Sequence, residues 1–80
     1  MIEEMYFDEA LAALRQVRGA RASRRGWNGK GMWISVQWPD ANSKMTMPYI
    51  YMKTAWGDLV PWLASQTDLL ADDWETEVNS

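Results

Sequence analysis

The 80-residue chain contains no cysteine and no histidine. Without cysteine there is no disulfide, no zinc–thiolate site and no thiol nucleophile. Without histidine the commonest general base and the commonest metal ligand are both missing. Long apolar runs are absent too, and no stretch approaches the length of a bilayer span. The N-terminus carries Glu3 and Glu4 and lacks an apolar core segment, so no secretory signal is expected. A cysteine-free chain fits a reducing, cytoplasmic setting. No Walker motif, dinucleotide fingerprint, serine nucleophile elbow or metal-ligand spacing is present. These absences signal no enzyme and lead us to expect neither metal nor cofactor.

What the chain does have is tryptophan, six of them: Trp27, Trp33, Trp38, Trp56, Trp62 and Trp74. Eighty residues make one domain, expected to span 1–80, and a domain of this size buries only about 60% of its unfolded surface. One indole buries about 150–250 Å², so six would crowd so small a core. Some are therefore expected at a subunit interface or in a ligand pocket, where tryptophan is enriched. Association would also relieve the shortage of core.

The formal net charge is −3, which argues against general nucleic-acid binding, so no DNA partner is expected. Its distribution is uneven. From Ala10 to Pro39 there is no acid, while Arg15, Arg18, Arg21, Arg24, Arg25 and Lys30 supply most of the cations. Nine of the eleven acids gather at the two ends. A local positive region in an acidic protein suits a small anion better than a long polyanion.

Phe7, Ala10, Leu11, Leu14 and the 17–18 position follow the spacing of an amphipathic helix over 7–18, with acids at its start, Arg15 and Arg18 at its end, and Gly19 as a left-handed stop. A short strand is expected at 20–25, and glycines at 26, 29 and 31 make a turn in which Asn28-Gly29 is a strong hairpin signal. "MWISVQW", 32–38, alternates, with Met32, Ile34, Val36 and Trp38 on one side. A loop follows, then a strand at 47–54 with Tyr49, Tyr51 and Lys53 on one face. A "WGD" turn leads into "LVPW", where Pro61 limits the strand or puts it at an edge. Ser65 and Asp68 have capping-box spacing for a short helix from about residue 66, and 74–78 reads as a final edge strand. The expected fold is α+β, an N-terminal helix packed on an antiparallel β-sheet with a short second helix near the C-terminus.

In "GWNGK" the glycines let a ligand approach the backbone, and exposed turn N–H groups cradle phosphate oxygens. Trp27 offers a face for a purine, Asn28 an amide for an adenine edge, and Arg24, Arg25 and Lys30 charge for a diphosphate. The same residues also describe an ordinary Asn-Gly turn with a packed tryptophan and solvated cations. Ser65, Gln66, Thr67 and Asp68 read either as polar groups at a helix N-terminus that attract an anion, or as a plain cap with Trp62, Leu63, Leu69, Leu70 and Trp74 in the core. Asp72, Asp73, Glu75 and Glu77 read as a solvated face, and the methionines as gap-filling residues.

Two stretches, "RRGWNGKGMW" and "YMKTAWGDLVPWLASQTDLLADDW", give the chain a resemblance to a phage family, the small anti-Thoeris sponge proteins of the second type. The resemblance covers 7–38 and 48–75, and departs from the family pattern in the short loop at 38–47 and at Trp56. It implies a non-catalytic binder that acts in the cytoplasm of the infected bacterial cell and sequesters cyclic ADP-ribose isomers made by TIR-domain immune enzymes. It further implies a homotetramer with ligand pockets between protomers; some members also hold cyclic di- or trinucleotides at separate sites. Carried over by motif, the ligand-binding candidates are Trp27, Asn28, Gly29, Lys30 and Arg25, then Ser65, Gln66, Thr67 and Asp68. The alternatives are a non-catalytic phage interaction module or minor structural protein, and a single-stranded nucleic-acid binder with steeply salt-dependent affinity.

Overall fold

The computed structural model describes residues 5–78. Helix α1 spans Phe7–Gln16 and turns Ala10 and Leu14 inward. The Tyr6 N–H donates to the Glu9 carboxylate at 3.3 Å, Asp8 and Glu9 sit at the positive end of the helix dipole, and Arg15 lies in the last turn. The helix stops two residues short of the expected boundary. Val17 is already extended, and the chain must reverse at once to enter the sheet. The Ala20 N–H donates to the Val17 carbonyl at 3.1 Å and Gly19 takes φ +88°. Gly19 is left-handed as its position suggested, but it closes this turn and does not cap the helix directly. Arg18, freed from the helix, sets its guanidinium 4.6 Å from the Trp38 ring centre.

Strands β1 (Arg21–Arg24), β2 (Trp33–Gln37), β3 (Tyr49–Lys53), β4 (Leu59–Pro61) and β5 (Trp74–Glu77) form one antiparallel sheet in the order β4-β3-β2-β1-β5. The last strand in the chain therefore pairs with the first. Pro61 lies on the β4 edge, where its missing N–H removes no ladder bond. The β3–β4 turn leaves the Trp56 side chain 92% exposed at its tip.

Residues paired across a ladder share a face, and neighbours along a strand alternate. Pairing of Ala22 with Ile34 and Thr76, and of Ile34 with Met52, defines the face that α1 covers. Pairing of Arg21 with Glu77, Ser23 with Glu75, Trp33 with Lys53 and Ser35 with Tyr51 defines the opposite face, which carries no helix. The buried core is small: Ala10, Leu14, Ala20, Ala22, Ile34 and Trp74. Trp74 organises it. Its ring meets Phe7, Trp27 and Trp62 at centroid distances of 5.2, 5.4 and 6.1 Å, and its Nε1 donates to the Asp68 carbonyl at 3.0 Å.

Helix α2 spans Gln66–Leu70 and starts with the expected capping box: Ser65 Oγ accepts from the Asp68 N–H at 3.0 Å. The reading that placed Leu63, Leu69 and Leu70 in the core is not met. Leu63 is 93% and Leu70 79% exposed, and Leu69 is exposed as well. A single turn and a half of helix turns only one face inward, and here that face is occupied by Asp68. No helix among the described residues is long and apolar enough to cross a membrane.

Candidate functional site

The glycine-rich turn is built in three steps. Arg24 ends β1 in an extended conformation, residues Arg25–Trp27 make one 3-10 turn, and Asn28 closes it in the left-handed region at φ 61°, ψ 33°. Its own N–H donates to the Arg25 carbonyl at 3.0 Å. Gly29 and Gly31 follow at φ +65° and +77°. A left-handed step outside glycine is tolerated best by asparagine, so Asn28 has a backbone reason for its identity as well as a chemical one.

Asp73 anchors this turn from the far end of the chain. Its carbonyl accepts the Arg25 N–H at 3.1 Å and its Oδ2 accepts the Gly26 N–H at 2.8 Å. Arg24 completes the clamp: Nε donates to Asp73 Oδ1 at 2.7 Å and Nη1 to Asp68 Oδ1 at 2.8 Å. The Arg24 side chain is 15% exposed. The hydrogen bond from Arg24, helped by the Gly26 N–H and the Arg24 charge, holds the Asp73 carboxyl below the ordinary aspartate range despite partial desolvation. For Asp68 desolvation pushes the other way, but hydrogen bonds from Arg24 and Ser65 outweigh it and its pKa is also lowered. Arg24 is raised in turn by Asp73, against its own desolvation, with Asp68 adding to the rise.

Beside the clamp lies a cavity of about 540 Å³. Arg25, Trp27, Asn28, Gly29 and Lys30 line it, so the structure brings together the five candidates from the first motif. Ser65, Gln66, Thr67 and Asp68 do not reach it in the single chain. Asp68 touches the turn only through Arg24, and the Asp68 N–H is already taken by Ser65 Oγ. Arg24, singled out in the sequence as a diphosphate partner, is held by two carboxylates. Trp27 is half-buried, edge-on to Trp74 on one side and in the cavity wall on the other. Arg25 has an exposed, longer ion pair with Glu75, 3.6 Å.

Sequence reasoning missed the other wall, formed by Arg21, Ser23 and Trp33 from the helix-free sheet face and by Glu75 and Glu77 of β5. The alternation in β2 separated Trp33 from the core side, but nothing local said that β5 would pair with β1 and bring its acids here. A second cavity of about 570 Å³, between the Met45–Pro48 loop and Trp62, has no charged side chain in its lining. The first is the one suited to a polar anion: indole rings, a glycine-rich backbone, an amide, cations, and carboxylates able to accept hydroxyls. Among the described residues no three metal-binding side chains converge.

A family model described as Tad2-like, the Thoeris anti-defense 2-like domain, matches residues 5–77, which includes the whole clamp and every cavity wall. The chain is 36% identical over 88 aligned residues to a protein named Thoeris anti-defense 2 from Bacillus phage SP01. The alignment covers 94% of this chain and 97% of the phage protein.

Proposed function

Because the chain belongs to the Tad2-like family of phage proteins with an anti-Thoeris role, we propose that it sequesters cyclic ADP-ribose-type immune signals in the cavity beside the glycine-rich turn and leaves them chemically intact. The observation that carries this reading is the composition of that one cavity. Each part of such a ligand has a counterpart in the lining. The purine stacks on an indole, a contact worth about 1–3 kcal/mol. The Asn28 amide reads a base edge, the positive charge of the lining, to which Arg25 and Lys30 contribute, attracts the diphosphate, and Glu75 and Glu77 accept ribose hydroxyls.

Sequestration needs tight binding and no bond-making. The side chains of the cavity fit that demand, since they offer stacking, charge and hydrogen bonds but no activated nucleophile. The protein is proposed to act as a homotetramer with pockets at protomer boundaries. In that arrangement Ser65, Gln66 and Thr67, which stand outside the cavity of their own chain, complete the pocket of a neighbour. The exposed Leu63 and Leu70 beside them supply apolar surface for such a contact.

The test is recovery of the ligand. Protein is incubated with the product of a TIR-domain enzyme, free ligand is removed, and the protein is heat-denatured. Release of the unchanged signal is the expected result. Release of a cleaved product moves the protein to the enzymes, and no released ligand removes the sponge reading.

A further inference from the structure

We infer that Arg21 is the guanidinium that receives the ligand's diphosphate, and that Trp33 is the residue that positions it. The inference rests on the cavity proposed above as the ligand site.

Three arginines line that cavity, and they differ in how far they are already engaged. Arg24 has both of its donor edges on carboxylates at 2.7 and 2.8 Å. A ligand would have to displace Asp73 or Asp68 to use it, and the turn would lose its anchor. Arg25 shares its charge with Glu75 at 3.6 Å. Arg21 has no ion pair among the described residues; the carboxylate opposite it in the ladder belongs to Glu77, with which it makes no salt bridge.

Arg21 is held in place all the same. Its Cζ lies 4.2 Å from the Trp33 ring centre, on the sheet face that α1 leaves open. This cation–π contact uses no hydrogen bond, so the N–H donors of the guanidinium stay unspent. Two of those donors match two phosphate oxygens in parallel. A guanidinium already held over a ring loses less rotamer freedom on binding than a free side chain such as Lys30.

Trp33 can serve as the platform because it is itself fixed. It meets Tyr51 edge-on at 5.8 Å, and it pairs across the ladder with Lys53, whose Nζ donates to the Gly31 carbonyl at 3.3 Å. The platform is thus tied to the end of the turn that carries the other ligand contacts.

The experiment measures affinity for a TIR-produced cyclic ADP-ribose isomer by calorimetry at several salt concentrations. R21Q is expected to weaken binding by roughly 10- to 100-fold, the loss of a charge-assisted pair, and to flatten its salt dependence. R21K keeps the charge without the planar fork and is expected to recover only part of the loss. W33L is expected to weaken binding through Arg21, so that R21Q/W33L is no worse than R21Q, while W33F restores the platform. If the wild type binds nothing, the site reading and this inference fall together. If the wild type binds and both R21Q and R21K bind equally well, only the inference falls. Additive losses in the double variant would place Trp33 on the ligand itself and overturn its positioning role.

Discussion

Arg24 Nε donates to Asp73 Oδ1 at 2.7 Å, and the other oxygen of that carboxylate accepts the Gly26 N–H at 2.8 Å. One side chain near the C-terminus therefore fixes both the strand end and the first peptide of the turn that presents Trp27. The clamp explains how a short, glycine-rich segment with three left-handed residues keeps one shape. It also explains why the cavity wall is a property of the whole chain, since Asp73 belongs to the segment that leads into β5.

Removing Arg24 should cost stability first. R24M leaves two partly buried carboxylates without their cation, and is expected to lower unfolding free energy by about 2 kcal/mol at pH 7. R24K, which cannot span both acids, should recover less than half. Asp68 and Asp73 both have lowered pKa values, so their contribution is complete above the unfolded aspartate range and is lost as pH falls through the lowered folded values. Urea unfolding from pH 7 down to pH 3 should show the wild type losing stability steeply below about pH 4. In R24M that slope should be much shallower. Equal slopes would mean the network does not couple to folding.

Gly26 is a second test of the same clamp. Its φ is not left-handed, so the backbone alone accepts alanine. Space does not: an added Cβ would stand 2.8 Å from Asp73 Oδ2 and 3.2 Å from Arg24 Nη2. A carboxylate end often swings aside, but this one is pinned by three donors. G26A is expected to destabilise by about 1–3 kcal/mol, as overpacking does, and to weaken ligand retention by shifting the turn. Thermal melts together with the retention assay would check both effects; an unshifted melt would show that the clamp yields freely.

Much of the fold was legible because its signals are local. The 3.6-residue spacing from Phe7 to Leu14, the alternation in 32–38, Asn28-Gly29 and the Ser65–Asp68 box each announce one element. The site was legible only by half. The turn candidates adjoin one another in sequence and so arrive together. Arg21, Trp33 and Glu75 meet only through the β1–β2 and β1–β5 pairings, and pairing between distant strands leaves no mark within either strand. For the same reason Arg24 read as free charge: nothing near it in sequence shows the two aspartates that hold it. The exposed leucines of α2 misled in the other direction, since an apolar residue in a short helix does not say which face the helix turns to the core.

Asn28 separates its two reasons for being asparagine. N28G keeps a residue at ease in the left-handed region, so stability should change by no more than about 0.5 kcal/mol. The amide is gone, and ligand affinity should fall by roughly 5- to 30-fold if it hydrogen-bonds the base. N28V, branched at Cβ, should lose both, with about 1–2 kcal/mol of backbone strain. Calorimetry and melting curves on the pair distinguish the roles. Undiminished affinity in N28G would return Asn28 to a turn residue alone.

Leu63 and Leu70 give the proposed assembly a direct test. Within one chain both are largely exposed, so L63K/L70K removes little intrachain packing and should leave secondary structure unchanged. Burying a leucine contributes about 1.5–3 kcal/mol, so across a symmetric assembly their loss is enough to dissociate it. Light scattering should find four chains per particle in the wild type and a smaller species in the variant. Ligand retention should fall along with size, because Ser65, Gln66 and Thr67 of a neighbour would no longer close the pocket. A variant that dissociates yet retains the signal fully would confine the site to one chain, and a variant of unchanged size would move the association surface away from α2.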